Sequence, residues 1–189
     1  IPLESVMSKV WNKKIFKHIQ EHVDQASKDL ADERGPCPDA ADYGYNERFS
    51  NKTAIAPTAS ISIICGGASP GVEPVAANSY THKTLSGSFN VRNRYLVELL
   101  EKRGENTEEV WSGITTNQGS VSHLDFLTDL EKDVFKTAFE LDQKWIIELS
   151  GDRTPFISQA QSINLFVPAD IHKRELHKIH FDAWKKGLK

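Results

Sequence analysis

The sequence has few sulfur-containing residues and no long apolar run. Its 189 residues include one methionine and two cysteines, Cys37 and Cys65, neither of which has a C-x-x-C partner. Two cysteines are too few for a disulfide framework, so we expect free thiols and a cytoplasmic protein. No stretch approaches the roughly 20 apolar residues of a membrane helix, and no basic and apolar leader opens the chain. We therefore expect no membrane partner.

An excess of charge of one sign is also lacking. The 23 basic and 26 acidic residues leave a formal net charge of -3, which provides no broad positive field for nucleic acid. A hydrophobic fraction of 39% is typical of a globular domain with one core. Because the chain opens at Ile1 and stops directly after an amphipathic helix, we interpret it as a piece of a larger protein.

No metal or nucleotide motif is complete. The glycine-rich run Gly66–Gly71 lacks both G-x-G-x-x-G and the Walker lysine, so it predicts neither a dinucleotide nor a nucleoside triphosphate site. His18, Glu21 and His22 match the H-x-x-E-H pattern of inverted zinc peptidases, and two histidines four apart share one helix face. A solvated helix face explains this pattern equally well, and no third ligand stands out. We assign no metal ligand, and a zinc peptidase stays open as an alternative.

The remaining candidate groups are weaker. We interpret Cys37 as a loop thiol and Cys65 as a small buried residue, and we give neither a catalytic role. His172, His177 and His180 lie in a helical pattern rich in lysine, and we interpret them as part of a basic surface.

Hydrophobic periodicity predicts a helix-rich chain. Residues 1–35 form a helical lead-in, 36–52 a loop, and 53–189 a series of helices and short strands. The predicted helices are Leu3–Leu30 as one long or two short helices, Arg94–Arg103 ending at Gly104, one capped by Thr107, Leu124–Leu149 in two pieces, and Ile171–Leu188 capped by Asp170. Leu130 belongs to the apolar stripe predicted for Leu124–Leu149. The predicted extended segments are Thr53–Ala56 and Ile157–Val167. This alternation indicates an α/β or helix-rich mixed fold.

The stretch from Ala54 to Ile63 is the most informative. A short apolar segment leads into Pro57, a residue favoured at the first position of a helix. Thr58, Ser60 and Ser62 would place hydroxyl groups beside the first free amides, and the helix dipole adds positive potential there. We expect an anion site for which phosphate is the obvious ligand. An ordinary capped helix whose hydroxyls satisfy only the backbone is the alternative.

Four blocks of sequence resemble the catalytic subunits of ribonucleotide reductases, in the order in which the family has them. The blocks are Ala54–Ser62 with Gly71–Pro74, Thr84–Asn93, Asp152–Phe166 with its D-R-x-x-x-I-x-Q-x-Q-S-x-N-L pattern, and His180–Lys189. They extend over residues 50 to 189, and the first 50 residues match only loosely. The final block resembles the helix that precedes the family's radical-transfer tyrosine pair.

The resemblance implies a fold, a reaction and a site. The fold would be the C-terminal portion of the ten-stranded α/β barrel, incomplete as a barrel on its own. The reaction would be the reduction of a ribonucleoside diphosphate at its 2′-carbon by radical chemistry, which provides deoxyribonucleotides for DNA synthesis. The substrate's phosphates would be held by five consecutive residues: Pro57, Thr58, Ala59, Ser60 and Ile61.

What the chain lacks relative to the family is equally specific. The family's thiyl-radical cysteine, reductant cysteine pair and allosteric sites for dNTP or ATP effectors would precede Ile1, so we expect no catalytic residue in this chain. The implied partners are the rest of the large subunit, a separate metal-containing subunit that generates the radical, and thioredoxin or glutaredoxin as reductant. An adenosylcobalamin-dependent (class II) relative and a non-catalytic docking or scaffold piece are the alternatives.

Overall fold

The computed structural model describes residues 1–85 and 87–188, and the side chain of Thr84 is not described. Ser86 and Lys189, which belong to two of the blocks named above, lie outside the described residues. The described chain contains eight α-helices, a short 3₁₀ turn and one two-stranded sheet. Helices α1 to α3 are Val6–Arg34, Pro38–Asp42 and Ala59–Ile64; strands β1 and β2 are Ser79–Thr84 and Gly87–Arg92; helices α4 to α8 are Arg94–Arg103, Glu108–Thr116, Asp129–Val134, Gln143–Arg153 and Lys173–Lys185. The helix-rich fold, not closed as a barrel, is confirmed.

The chain divides into two compact units. The first contains residues 1–5, 57–145 and 163–169, and the second contains residues 6–56, 146–162 and 170 onward. None of the described helices combines the length and the apolar character needed to cross a bilayer.

The first unit is built around an apolar core between α4, α5 and the turns that follow α5. Its buried members are Leu96, Leu100, Trp111, Ile114, Val121, Leu124 and Leu127. The end of α4 and the start of α5 lie where the sequence predicts them, because the stop and start signals are local. Gly104 ends α4 with a φ of 73°, and the Thr107 hydroxyl accepts a hydrogen bond from the amide of Val110.

Strands β1 and β2 form an antiparallel hairpin that also belongs to the first unit. Ser79 pairs with Arg92, and Thr84 pairs with Gly87. Because side chains alternate between the faces of a strand, Tyr80 and His82 lie on one face of β1. The hairpin therefore presents these two side chains together, and both line the cavity described below.

Two helix boundaries differ from the sequence-based expectation. The segment from Leu124 to Leu149 contains α6 and the start of α7, separated by turns in which the Thr137 amide and hydroxyl both donate to Glu140. These bonds replace a helical continuation. Leu130, which the sequence places in the apolar stripe, is 64% exposed in α6. The last helix is capped not by Asp170 but by His172, whose ring nitrogen accepts from the Arg174 amide.

In the second unit, α1 is one continuous helix that lies within the segment 1–35 predicted as a helical lead-in. The predicted loop 36–52 includes the short helix α2, since Pro38 lies at the first turn, where its missing amide costs nothing. The two predicted extended segments pair in parallel, but only through the bridge between Ile55 and Gln161 and three neighbouring backbone hydrogen bonds. They are therefore shorter than the predicted strands.

Candidate functional site

The loop that precedes α3 differs from the predicted helix start. Helix α3 begins at Ala59, with Thr58 as its N-cap residue, so Pro57 lies one position before the cap rather than at the first helical position. The reason is an anchor twelve residues away along the chain: the amide and the hydroxyl of Thr58 both donate to the carbonyl of Pro70, at 3.0 and 2.8 Å. Thr58, with φ -122° and ψ 33°, is thereby held against a distant part of the loop.

Three consecutive amides follow this anchor. Among the described residues, no hydrogen bond joins the backbone N–H groups of Ala59, Ser60 and Ile61 to an acceptor. Helix starts leave their first amides free in this way because no preceding turn supplies carbonyl groups. The three N–H groups belong to exposed residues and are available to an external acceptor.

The predicted hydroxyl groups are distributed less favourably. The Thr58 hydroxyl is committed to Pro70, and the Ser62 hydroxyl donates to the carbonyl of Ala59 at 2.9 Å from a buried position. Within the described chain, the Ser60 hydroxyl has no such partner. The expectation that Ser62 supplies a hydroxyl to an anion is therefore wrong, since its proton is used inside the helix.

Glycines shape the end of α3. Gly66 and Gly67 have φ angles of 89° and 76°, in the region that favours glycine, and the Gly67 amide donates to the carbonyl of Ser62. A Cβ atom on Gly66 would lie 3.2 Å from Nη1 of Arg94. A guanidinium group therefore lies close to this turn.

A cavity of about 420 Å³ lies beside α3 in the first unit. Its wall is mostly apolar, and its polar side chains are those of Ser62, Tyr80 and His82. Among the described residues, Ala59 is the one predicted site residue that contributes to this wall. The lining residues are Ala59, Ser62, Ile63, Gly67, Ala68, Pro70, Val75, Ala76, Ala77, Tyr80 and His82.

The loop that begins at Pro57 ends near Glu73, whose carboxylate is buried and hydrogen-bonded. Glu73 is 3% exposed, and its Oε1 accepts a hydrogen bond from Nδ2 of Asn164. The Ser69 hydroxyl donates to the carbonyl of Glu73. The sequence analysis named Glu73 only as part of a family block and gave it no role. Its position between Val72 and Pro74, in a stretch with few charged residues, could have indicated a buried acidic group.

The other candidate groups do not come together as a site. In α1, Nδ1 of His22 donates to the carbonyl of His18, and Glu21 pairs with Lys17. Among the described residues, no group of three or more His, Cys, Asp or Glu side chains could hold a metal ion. Cys65 is exposed rather than buried as predicted, because it caps the C-terminus of the short helix α3, and Cys37 is partly exposed.

Comparisons with known proteins identify what the chain resembles. The family model described as "Ribonucleotide reductase, barrel domain" matches residues 39–189. The ribonucleoside-diphosphate reductase large subunit of Invertebrate iridescent virus 6 is 49% identical over the whole chain, which covers 20% of that protein. The large subunit of Danio rerio is 31% identical, again over the whole chain and 27% of the relative.

A solved structure gives the same result for the fold. The class Id ribonucleotide reductase alpha subunit of Actinobacillus ureae superimposes with a TM-score of 0.90 at 39% identity, and the match covers 100% of this chain and 34% of that subunit. The chain thus spans about a fifth to a third of the length of these relatives.

Proposed function

The chain belongs to the ribonucleotide reductase barrel-domain family, and from this premise we propose that it is part of the large subunit of a class I ribonucleoside-diphosphate reductase. Such an enzyme reduces the 2′-carbon of a ribonucleoside diphosphate and releases the 2′-oxygen as water. A dithiol reductant, thioredoxin or glutaredoxin, supplies the two electrons and two protons. The class Id structure that resembles this chain supports a separate radical-generating subunit over the adenosylcobalamin alternative.

The part of this function that we assign to the chain is binding of the substrate's phosphate groups by residues 57–61. The observation that carries this assignment is the run of three free amides at Ala59, Ser60 and Ile61, directly after the Thr58 anchor. Backbone N–H groups suit a diphosphate because they donate without carrying a side chain that must be ordered on binding. The Ser60 hydroxyl is exposed beside them and can add one donor.

The contribution to the reaction is positioning. A diphosphate held at this loop fixes the ribose with respect to a radical formed elsewhere in the enzyme. The ribose and the radical then react in a fixed orientation rather than by random collision. The thiyl radical, the effector sites and the reductant cysteines belong in this proposal to the rest of the large subunit, and the metal belongs to the small subunit. A cytoplasmic location is part of the same proposal.

The test uses the assembled enzyme that contains this chain. We expect Ser60→Leu to raise KM for a ribonucleoside diphosphate by about tenfold, because it removes a donor to a charged group and crowds the neighbouring amides. Thr58→Val, which deletes the hydroxyl bond to Pro70, should also raise KM. Ser88→Leu is the matched control, since Ser88 is an exposed serine of β2 in the same unit. An unchanged KM in both loop variants would refute the assignment.

A docking or scaffold role without turnover is the remaining alternative. Several large apolar side chains of α1 are exposed, among them Val6, Met7 and Trp11 at 76%, 53% and 49%. These side chains suit contact with another part of a larger protein. If the loop variants left KM unchanged while substitutions on α1 abolished assembly, the scaffold role would be favoured.

A further inference from the structure

The carboxylate of Glu73 packs against Gly71, and a larger residue at position 71 would not leave room for it. A Cβ atom on Gly71 would lie 2.5 Å from Oε1 and 2.7 Å from both Cδ and Oε2 of Glu73. Asn164 donates to Oε1, and among the described residues Oε2 has no hydrogen-bond partner. Burying an acidic side chain that has a single hydrogen-bond donor costs free energy of folding. We therefore expect Glu73 to have a role that offsets this cost.

A short series of contacts connects this carboxylate to the start of α3. The Ser69 hydroxyl donates to the backbone carbonyl of Glu73, which closes the loop around Pro70. The carbonyl of Pro70 in turn accepts both hydrogen bonds from Thr58. The orientation of Thr58, and of the free amides that follow it, therefore depends on where the segment 69–73 is held.

We propose that Glu73 is a positioning residue for the phosphate-binding loop. Its carboxylate, held by Asn164 and seated on Gly71, fixes the Pro70 carbonyl and through it the direction of the amides of Ala59 to Ile61. This inference rests on the proposed function of that loop. Glu73 does not act by touching the substrate, because a carboxylate beside a diphosphate would repel it.

The substitutions at Glu73 separate the hydrogen bond from the charge. Glu73→Gln keeps an oxygen that can accept from Asn164, so it should leave KM for the diphosphate near the unmodified value. Glu73→Ala removes the acceptor, and we expect KM to rise by about tenfold with a much smaller change in kcat. Asn164→Ala removes the donor and should have the same effect, which provides a second variant if Glu73→Ala does not assemble.

A control distinguishes positioning from a general loss of stability. Asn106→Ala removes the hydrogen bond that Nε1 of Trp111 donates at 2.7 Å in the core of the same unit. It should lower thermal stability without raising KM. If Asn106→Ala raised KM as much as Glu73→Ala, or if Glu73→Gln were as impaired as Glu73→Ala, the positioning role would be overturned.

Amide hydrogen exchange in the assembled enzyme gives an independent readout. Glu73→Ala should speed exchange of the Thr58 amide, which donates to Pro70, and leave the Asn78 amide, which donates to Gly119, unchanged. Ser60→Leu measured in parallel separates the two proposals. A KM raised by Ser60→Leu but not by Glu73→Ala or Asn164→Ala overturns the role of Glu73 alone. An unchanged KM in all three overturns the phosphate-binding loop as well.

Discussion

Nε of Arg153 donates a hydrogen bond to Oε1 of Gln161 at 2.7 Å, and this bond joins two residues of the family's D-R-x-x-x-I-x-Q-x-Q-S block. Arg153 is 5% exposed. Its Nη2 donates to the Ser150 hydroxyl at 2.6 Å, and its Nη1 donates to Oδ1 of Asn12 in α1 at 3.2 Å. Gln161 also donates to the carbonyl of Ser150 at 3.0 Å. The block therefore stabilises the second unit through a buried polar network.

The first prediction concerns this network. Gln161→Leu leaves Nε of Arg153 and the carbonyl of Ser150 without these partners, so we expect a loss of about 1–3 kcal/mol in the free energy of unfolding. Denaturant unfolding of the complete large subunit measures this loss. Gln159→Leu is the matched control, because Gln159 lies two residues away in the same block and is exposed. Equal effects of the two substitutions would contradict the assigned role of the network.

The second prediction compares two glycines with positive φ. A Cβ on Gly104 meets nothing within 4 Å, so Gly104→Ala should cost about 1 kcal/mol from its backbone conformation alone. A Cβ on Gly119 would lie 2.6 Å from Cα of Ala77 and 2.9 Å from the amide nitrogen of Asn78. Because backbone atoms cannot rotate away, Gly119→Ala should lower the melting temperature considerably more. Comparable melting temperatures would contradict the close approach.

The third prediction concerns pH. Two hydrogen bonds from Nη2 of Arg103, at 2.7 Å, and the capping bonds with Thr128 lower the pKa of Glu131 from 4.5 to about 2. A carboxyl group whose pKa is lower in the folded state stabilises the fold above its ordinary pKa. That contribution is lost as the pH falls from about 4.5 toward 2.

Glu131→Gln tests this pH dependence. The variant should be less stable than the unmodified protein at pH 7, and the difference between them should shrink as the pH falls through this window. Unfolding curves recorded at several pH values provide the measurement. A difference in stability that stayed constant down to pH 2 would show that ionisation of Glu131 does not contribute.

Two short-range signals in the sequence were confirmed. Gly104 and Thr107 predicted a helix end and a helix start because each acts on backbone groups within four residues of itself. The start of α3 could not be predicted in the same way. Pro57 favours the first helical position, but the two hydrogen bonds from Thr58 to Pro70, twelve residues away, move the start of the helix to Ala59.

Exposure also depended on contacts distant in sequence. Helical spacing assigned Leu130 to an apolar stripe, yet Leu130 is 64% exposed in the short helix α6. Cys65, expected to be buried, is exposed at the end of α3. Periodicity identifies a possible face of a helix, but the length of the helix and its neighbours decide whether that face is covered.

Residue order was enough to indicate the family, the helix-rich character and the stretch around Pro57 as the place to look for an anion site. Local backbone preferences and the four blocks that resemble the family depend on residue order alone, so they can be recognised without a structure. The folded chain was needed to show which hydroxyls donate within the protein, which amides stay free, and that Glu73 contacts Asn164 across 91 positions of the chain. Hydrogen bonds between residues so far apart follow from the packing of the whole unit, which no local pattern encodes.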